Sequence, residues 1–295
     1  MPGMQIKVLD KAIRVVELLA QSNRGVRLKD VIAAVALNKT TALRILRALE
    51  SHDLAARDGA GVFVLGSRVM WWENCYRRNF ELLAVVRPVL ERLRDVTGET
   101  VTFSILMSEQ TVVIDQVVSR NVTSTRFELG SSAPLHAGAS GKVILAHLGP
   151  EIQNKFLRLP HLKHLTQRTI TSRSELEKEL KKCRFKGFAI SRGERFPSTC
   201  SIAAPVFGSE NEVVGVISVI GPADRLRHTV IKSIVPLLLR ETELLTEQIG
   251  RAVAEQKKTS RRRQVKGQIG GRGHRRIGPV PTALTTVLSA IKEVE

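Results

Sequence analysis

The sequence predicts an α+β protein built of two modules, a small and mainly helical one followed by a larger one in which strands and helices alternate. Three observations support this prediction. Apolar residues recur at helical spacing in three short segments before residue 52, an Asp-Gly turn between two strand-like runs comes next, and from Thr100 onwards apolar runs of strand length alternate with helical segments. With 295 residues the chain is long enough for two domains that each bury a core.

The first module begins with a helix predicted over Leu9–Gln21, and its most informative stretch is Leu28–His52. A short apolar segment containing Val31, Ile32 and Val35 is followed, after three residues, by a second helix. The buried face of this second helix has the spacing i, i+3, i+4, i+7, at Ala42, Ile45, Leu46 and Leu49. The opposite face carries only hydroxyl and guanidinium groups, at Thr40, Arg44, Arg47 and Ser51, with Lys39 at the helix start.

Two short helices joined by so brief a turn form a helix-turn-helix, whose second helix can enter the major groove of DNA. Asn38 is placed to cap that helix, because its side-chain oxygen can accept a backbone amide that otherwise lacks a partner. On the helices alone, an ordinary helical hairpin with a solvated basic face is an equally good interpretation.

The segment after the helices decides between these interpretations. Leu54–Gly66 is predicted to form two short strands around Asp58-Gly59-Ala60-Gly61, since Asp-Gly between strand-like runs is a strong hairpin signal. Three helices followed by a β-hairpin is the order of a winged helix-turn-helix, and this order favours DNA binding. The residues expected to meet DNA are Thr40, Thr41, Arg44 and Arg47 in the groove, Asn38 and Lys39 at the helix start, and Arg57 of the wing near phosphate.

The charge distribution agrees with a polyanionic partner, either nucleic acid or an anionic membrane. The net charge is +18, of which residues 1–80 carry +6 and residues 251–295 carry +8, so the middle is nearly balanced. No secretory signal is visible, and the longest apolar run, Val213–Gly221, is too short to span a bilayer. Three cysteines without a CxxC pair make a disulfide framework unlikely and predict a reducing, cytoplasmic setting. With no spanning segment, we expect no membrane partner.

The second module is predicted to be a sensor-like domain in which helices pack against a curved antiparallel sheet. Ser67–Phe80 is expected to be a connecting helix, and Leu82–Val96 an amphipathic helix that contains Pro88. Strands are expected at Thr100–Met107, Thr111–Val118, Lys186–Arg192, Cys200–Phe207 and Val213–Ile220. Helices are expected after Ser140, Pro150 and Ser172, the last with a Ser172/Glu175 capping box, and a closing helix over about Thr229–Val253.

The end of the chain has a different composition. Lys257–Arg276 holds nine basic residues, four glycines and no acid, which predicts a disordered segment that binds polyanions without sequence preference. A short terminal helix from about Leu284 is possible. The predicted organisation is therefore a winged helix-turn-helix over 8–66, a linker helix over 67–81, the second domain over 82–253 and a basic tail over 254–295.

The sequence matches none of the catalytic or metal-binding patterns that we compared with it. Gly138–Lys142, GASGK, fails the phosphate-loop pattern, because His136 stands at the first glycine position and Val143 follows the lysine. It also fails the hydrolase elbow GxSxG, so a glycine-rich loop that opens a helix and takes an anionic ligand is the better interpretation. Lys142 then either adds charge to that site or is solvated. His161 and His164 do not form a convincing metal site, and we expect no catalytic residue, metal or cofactor.

Several motifs in sequence, over about Val8–Gly250, resemble the IclR family of bacterial transcriptional regulators. Leu37–Thr41 is similar to the family's Leu-Pro-Lys-Ser-Thr before the recognition helix, and Val64–Gly66 to its YxLG. In the second module, GSSAPLHAGASGKVILA from Gly130 is similar to the family's PLH and GK pattern. GFAISRGE from Gly187, SIAAPVF from Ser201 and VVGVISVIGP ending at Pro222 follow in the family's order and spacing.

The resemblance implies a ligand-controlled repressor or activator with a GAF/PAS-like effector domain, working as a homodimer or a dimer of dimers. It implies an effector pocket formed by His136, Ala139, Ser140, Ser191, Ser201, Ser218 and Ile220. Members that bind small 2-oxo acids often have an Asp, a Cys and two Ser where this chain has Ser191, Ser201, Ser218 and Ile220. We therefore expect a different carboxylate, larger or aromatic, against the apolar wall of Ile220. Two alternatives are an enzyme acting on a small carboxylate with a regulatory winged helix, and a nucleoid-type binder dominated by the basic tail.

Overall fold

The computed structural model describes the backbone of residues 6–79 and 81–267, and the side chains of residues 6–75 and 82–252. The chain forms two compact units, the first of which ends at Asn79. Among the described residues, no helix is long and apolar enough to cross a membrane.

The first unit is a winged helix-turn-helix, as the sequence predicts. Its elements are α1 (Lys7–Gln21), β1 (Val26–Arg27), α2 (Leu28–Val35), α3 (Lys39–Ser51), β2 (Ala55–Arg57), β3 (Val62–Leu65) and α4 (Arg68–Asn79). The predicted stripe of α3 is buried at all four of its positions. It packs on Val15, Leu19 and Val31 of the first two helices and on Phe63 of β3.

The wing forms because of one carboxylate and one glycine. The Asp58 carboxylate accepts the Ala60 and Val62 amides at 2.9 and 2.8 Å, which closes the turn between β2 and β3. Gly61 has a φ of +79°, a conformation that side chains disfavour. The two-residue strand β1, which the sequence did not predict, adds to the outer edge of β3 by pairing Val26 with Phe63.

The second unit contains a curled antiparallel sheet of six strands with helices on both faces. Its elements are α5 (Glu81–Thr97), β4 (Thr100–Met107), β5 (Gln110–Val117), β6 (Ser132–Pro134), α6 (Ala139–His147), α7 (Pro150–Leu157), α8 (Arg173–Lys186), β7 (Ala189–Arg192), β8 (Thr199–Phe207), β9 (Val213–Pro222) and α9 (His228–Gly267). The strand order is β6-β5-β4-β9-β8-β7. The first half of the unit therefore pairs with the second half between β4 and β9.

The two faces of this sheet differ in chemistry, because residues two apart in a strand share a face. Val101, Phe103 and Ile105 of β4 face α5 and α9, where the main apolar core lies together with Cys200. On the other face, Ala203 and Val216 pack against α6 and α8. Hydroxyl side chains occupy much of the remainder of that second face, and they line a cleft.

Several details differ from the sequence predictions. The short edge strand β6 was not predicted, and α5 runs through Pro88 as one helix. Ser172 makes no side-chain cap bond to α8, so the predicted capping box is wrong. The backbone of α9 is helical through Gly267, beyond the closing helix that the sequence predicts to end near Val253. The rest of the tail, including the predicted helix from Leu284, lies outside the described residues.

Candidate functional site

The outward face of α3 is basic and polar, and its geometry is set at its first residue. The Asn38 side-chain oxygen accepts the Thr41 amide at 2.8 Å, which confirms the predicted cap. The Asn38 oxygen is thus occupied by the helix itself. Thr41 is half-buried, whereas Lys39 and Thr40 are exposed in the first turn.

Three guanidinium groups, on α3 and the wing, have no acidic partner among the described residues. Arg44 and Arg47 are exposed on α3, and within the described part of the chain neither makes an ion pair or a hydrogen bond through its side chain. Arg57 lies in the wing with its guanidinium carbon 5.3 Å from the centre of the Phe63 ring. The stacking leaves Arg57 exposed and free to meet an anion. The unit therefore presents a helix and a wing with uncompensated positive charge.

The second unit contains a cleft between the start of α6 and the hydroxyl-rich face of the sheet. It encloses about 500 Å³ including its open mouth. Six of the seven predicted effector residues line it, namely Ala139, Ser140, Ser191, Ser201, Ser218 and Ile220. The structure thus brings together loop and strand residues that lie up to 81 positions apart in the sequence.

His136 is the one predicted effector residue that does not line the cleft. Its ring is 2% exposed, its Nε2 lies 2.9 Å from the Lys163 carbonyl oxygen, and its ring centre is 6.2 Å from that of Phe156. The PLH motif therefore anchors the segment around Lys163 instead of presenting an imidazole to the cleft.

The start of α6 provides backbone donors at the cleft. Gly138 precedes the helix with a φ of +95°, and Gly141 lies so close to the Leu135 backbone that a Cβ there would be 2.6 Å from its carbonyl oxygen. The amides of Ala139, Ser140 and Gly141 have no acceptor within the helix, as in the first turn of any α-helix. They make this end of the cleft favourable for a negative group.

Arg195 is a cleft residue that the sequence analysis missed. It lies in the loop after β7, yet its Nη2 donates to the Ser132 carbonyl oxygen of β6 at 3.1 Å, so it spans from one edge of the curled sheet to the other. Its guanidinium carbon is 5.2 Å from the ring centres of both Phe127 and Phe196. Burial lowers the pKa of Arg195 below its ordinary value, and no carboxylate of the described residues forms an ion pair with it.

Three further hydroxyl residues, also missed, line the cleft from the central strands: Thr102 and Ser104 of β4, and Thr111 of β5. The hydroxyls of Thr102 and Thr111, like that of Ser218 on β9, are buried and have no hydrogen-bond partner. Strand alternation in Thr100–Met107 was the available signal, because its hydroxyl residues recur at every second position.

Lys142 does not reach into the cleft and is not solvated, so both functions considered for it are wrong. It is 1% exposed, and its Nζ donates to Glu194 Oε1 at 2.6 Å and to the Ile190 carbonyl oxygen at 2.9 Å. The other oxygen of Glu194 accepts the Gly138 amide at 3.2 Å. This ion pair joins the start of α6 to the loop that carries Arg195.

Comparison with known proteins gives the same two-part organisation. A family model described as "IclR helix-turn-helix domain" matches residues 8–59, and one described as "Bacterial transcriptional regulator IclR C-terminal" matches residues 75–245. The HTH-type transcriptional regulator BhcR of Paracoccus denitrificans is 31% identical over 75% of this chain and 79% of its own. The transcriptional repressor IclR of Escherichia coli is 27% identical over 75% of this chain and 82% of its own.

A solved IclR-type transcriptional regulator from Silicibacter sp. TM1040 superimposes with a TM-score of 0.76 at 28% identity, covering 82% of this chain and 96% of its own. Its likeness extends over both units. The winged helix with its exposed Arg44, Arg47 and Arg57, the cleft between α6 and the curled sheet, and these matches lead to one conclusion: the chain belongs to the IclR family of transcriptional regulators, with a helix-turn-helix DNA-binding domain and a C-terminal effector-binding domain.

Proposed function

We propose that α3 and the wing read a specific DNA sequence, and that a small carboxylate bound in the cleft controls this binding. The observation that supports the carboxylate most directly is Arg195, a partly buried cation that has no acidic partner among the described residues, in the same cleft as the first-turn amides of α6. A carboxylate there gains charge-assisted hydrogen bonds and relieves a poorly solvated charge.

The DNA-reading part of the proposal assigns base edges to Thr40, Thr41, Arg44 and Arg47, and phosphate to Lys39 and Arg57. The exposure of α3 and the absence of acidic partners for Arg44 and Arg47 in the described structure support it. Arginine can hydrogen-bond guanine in the major groove through two donors, whereas a phosphate contact carries no sequence information.

The test compares Arg44→Ala on two duplexes, one enriched by the protein from a random pool and one of scrambled sequence. A base contact predicts a loss of about 1–3 kcal/mol on the enriched duplex with a smaller loss on the scrambled one. Arg57→Ala is the matched control, for which the proposal predicts a similar loss on both duplexes. If Arg44→Ala loses the same binding free energy on both duplexes, Arg44 contacts phosphate and not a base.

The effector part is tested by thermal shift of the full chain with aliphatic and aromatic carboxylates. A ligand that binds the folded protein raises its melting temperature in proportion to the logarithm of its concentration above Kd. The rise in melting temperature should disappear in Arg195→Gln and persist in Arg173→Gln, which removes an exposed arginine from α8. If neutral amides stabilise the protein as well as the acids do, the effector is not a carboxylate.

We further propose that the protein is a homodimer, or a dimer of dimers, in the bacterial cytoplasm where its DNA target lies. Leu9 and Ile13 of α1, with Ile6 at its N-cap, are each at least 50% exposed and lie on the side away from the buried Val15 and Leu19. A second copy of the same unit would cover these side chains. The functional boundaries we propose are 8–66 for the DNA reader, 67–81 for the linker and 82–253 for the effector domain.

A further inference from the structure

The floor of the cleft contains polar groups that the protein itself does not satisfy. Among the described residues, six buried side-chain oxygens or nitrogens have no hydrogen-bond partner, and three of these are the hydroxyls of Thr102, Thr111 and Ser218 in this one cleft. The three residues are 1%, 3% and 0% exposed. An unpaired buried hydroxyl is unfavourable, because it has lost its hydrogen bonds to water, so three together favour a ligand that pairs with them.

The register of the sheet places these hydroxyls on the same face. Thr102 lies directly opposite Ser218 in the β4–β9 pair, and residues so paired have neighbouring side chains. Thr111 lies opposite Leu106, whose position is two steps beyond Ser104 on β4. The hydroxyls therefore form a polar floor on the central strands, beneath α6.

The cleft has a different chemistry at its mouth. Phe196 is 43% exposed and Arg195 is partly buried, so this end of the cleft is closer to solvent than the floor is. Val113, Phe127 and Ile220, which also line the cleft, form a small apolar cluster. The lining thus combines a cation at the more exposed end with an apolar wall and neutral buried hydroxyls.

We propose, building on the carboxylate effector proposed above, that the effector is a carboxylate whose opposite end carries a neutral hydrogen-bonding group, a hydroxyl or a carbonyl, seated on Thr102, Thr111 and Ser218. The carboxylate pairs with Arg195 and the apolar middle lies against Ile220. A second carboxylate on the floor is disfavoured, because a charge buried there has hydroxyl donors but no cation. A threonine or serine hydroxyl serves as donor or acceptor, so the floor takes either kind of neutral group.

The experiment measures dissociation constants by isothermal titration for two matched pairs of acids, benzoate with 4-hydroxybenzoate and hexanoate with 6-hydroxyhexanoate. The wild-type chain should bind the hydroxylated member of at least one pair about tenfold more tightly, the equivalent of one well-formed hydrogen bond. Thr102→Val and Thr111→Val keep the side-chain shape and remove one hydroxyl each. In these variants the preference for the hydroxylated acid over the plain acid should fall several-fold.

Two controls separate this function from a structural one. Thr242→Val removes a buried hydroxyl that is already bonded to the Leu239 carbonyl oxygen on α9. Thr242 does not line the cleft, so this variant should leave the preference unchanged. The melting temperature of ligand-free Thr102→Val should not fall, because the lost hydroxyl had no partner. If wild type binds the acids without preference, or if the preference survives in both valine variants, the proposal of a neutral polar group at the far end of the effector is wrong. The proposal of a carboxylate effector is not affected by either outcome. If no acid binds wild type, the carboxylate effector itself fails, and this inference fails with it.

Discussion

Replacing Lys142 by methionine should destabilise the effector domain more than any exposed charge change. The Lys142 and Glu194 side chains are 2% and 8% exposed, and the ammonium holds Glu194 Oε1 at 2.6 Å. Methionine keeps most of the apolar part of the lysine side chain, so little volume is lost. The loss of stability therefore comes from removing the ammonium charge. It leaves a buried carboxylate whose remaining described partner is the Gly138 amide.

The magnitude follows from the burial of both partners. Removing one member of a buried ion pair costs about 3–5 kcal/mol, because the other charge is left uncompensated. For a domain of this size such a loss lowers the melting temperature by roughly 6–20 °C. Arg173→Met is the matched control: its pair with Glu177 is 54% and 41% exposed, which predicts a loss below about 1 kcal/mol.

Calorimetry of the full chain is the suitable assay. Both tryptophans, Trp71 and Trp72, lie in α4 of the first unit, so intrinsic fluorescence would not follow the effector domain. In the double variant Lys142→Met/Glu194→Gln the pair becomes neutral, and it should be more stable than Lys142→Met alone. A loss below about 1 kcal/mol for Lys142→Met, or additive losses in the double variant, would refute the account of a buried, mutually dependent pair.

The remaining predictions concern single features. Asn38→Ala removes the cap of α3 and should cost about 1 kcal/mol in urea unfolding of the first unit, with little change in Asn38→Ser. Burial, with the nearby Arg184 charge, lowers the pKa of His147, so stability should decrease as pH falls below about 6.5, and His147→Gln should flatten that slope in melting curves. Leu9→Glu should yield monomers in size-exclusion chromatography with light scattering, and a dimer that persists would reject α1 as the contact. Truncation after Gly267 should weaken salt-sensitive binding to random DNA only; loss of specific binding would instead support a binder dominated by the tail.

The first unit was largely predictable because its signals are local. The α3 stripe, the Asn38 cap and the Asp-Gly wing each depend on residues fewer than ten positions apart, and each is confirmed. The strands β1 and β6 were missed since two or three residues carry no periodicity. The helical backbone of residues 254–267 was missed because the composition of the tail outweighed the continuing helix.

The effector cleft was only partly predictable, for a different physical reason. The family resemblance predicted the alanine and serine residues that line the cleft. Arg195 was not predicted, because it enters the cleft only where the sheet curls until β6 and the loop after β7 meet. The partner of Lys142 is 52 positions away, so nothing near the lysine indicated that its charge is already paired. The hydroxyl residues of β4 alternated visibly, yet the fact that the Thr102 hydroxyl lacks a partner is a property of the packed structure alone.

The most direct test of the central claim is the affinity of the full chain for its enriched duplex, measured by fluorescence anisotropy with and without a carboxylate that raises its melting temperature. Binding linkage requires that the acid change DNA affinity by the same factor by which DNA changes acid affinity. We predict a change of at least fivefold, equal in both directions and absent in Arg195→Gln. A stabilising acid that leaves DNA affinity unchanged would contradict control of DNA binding through this cleft.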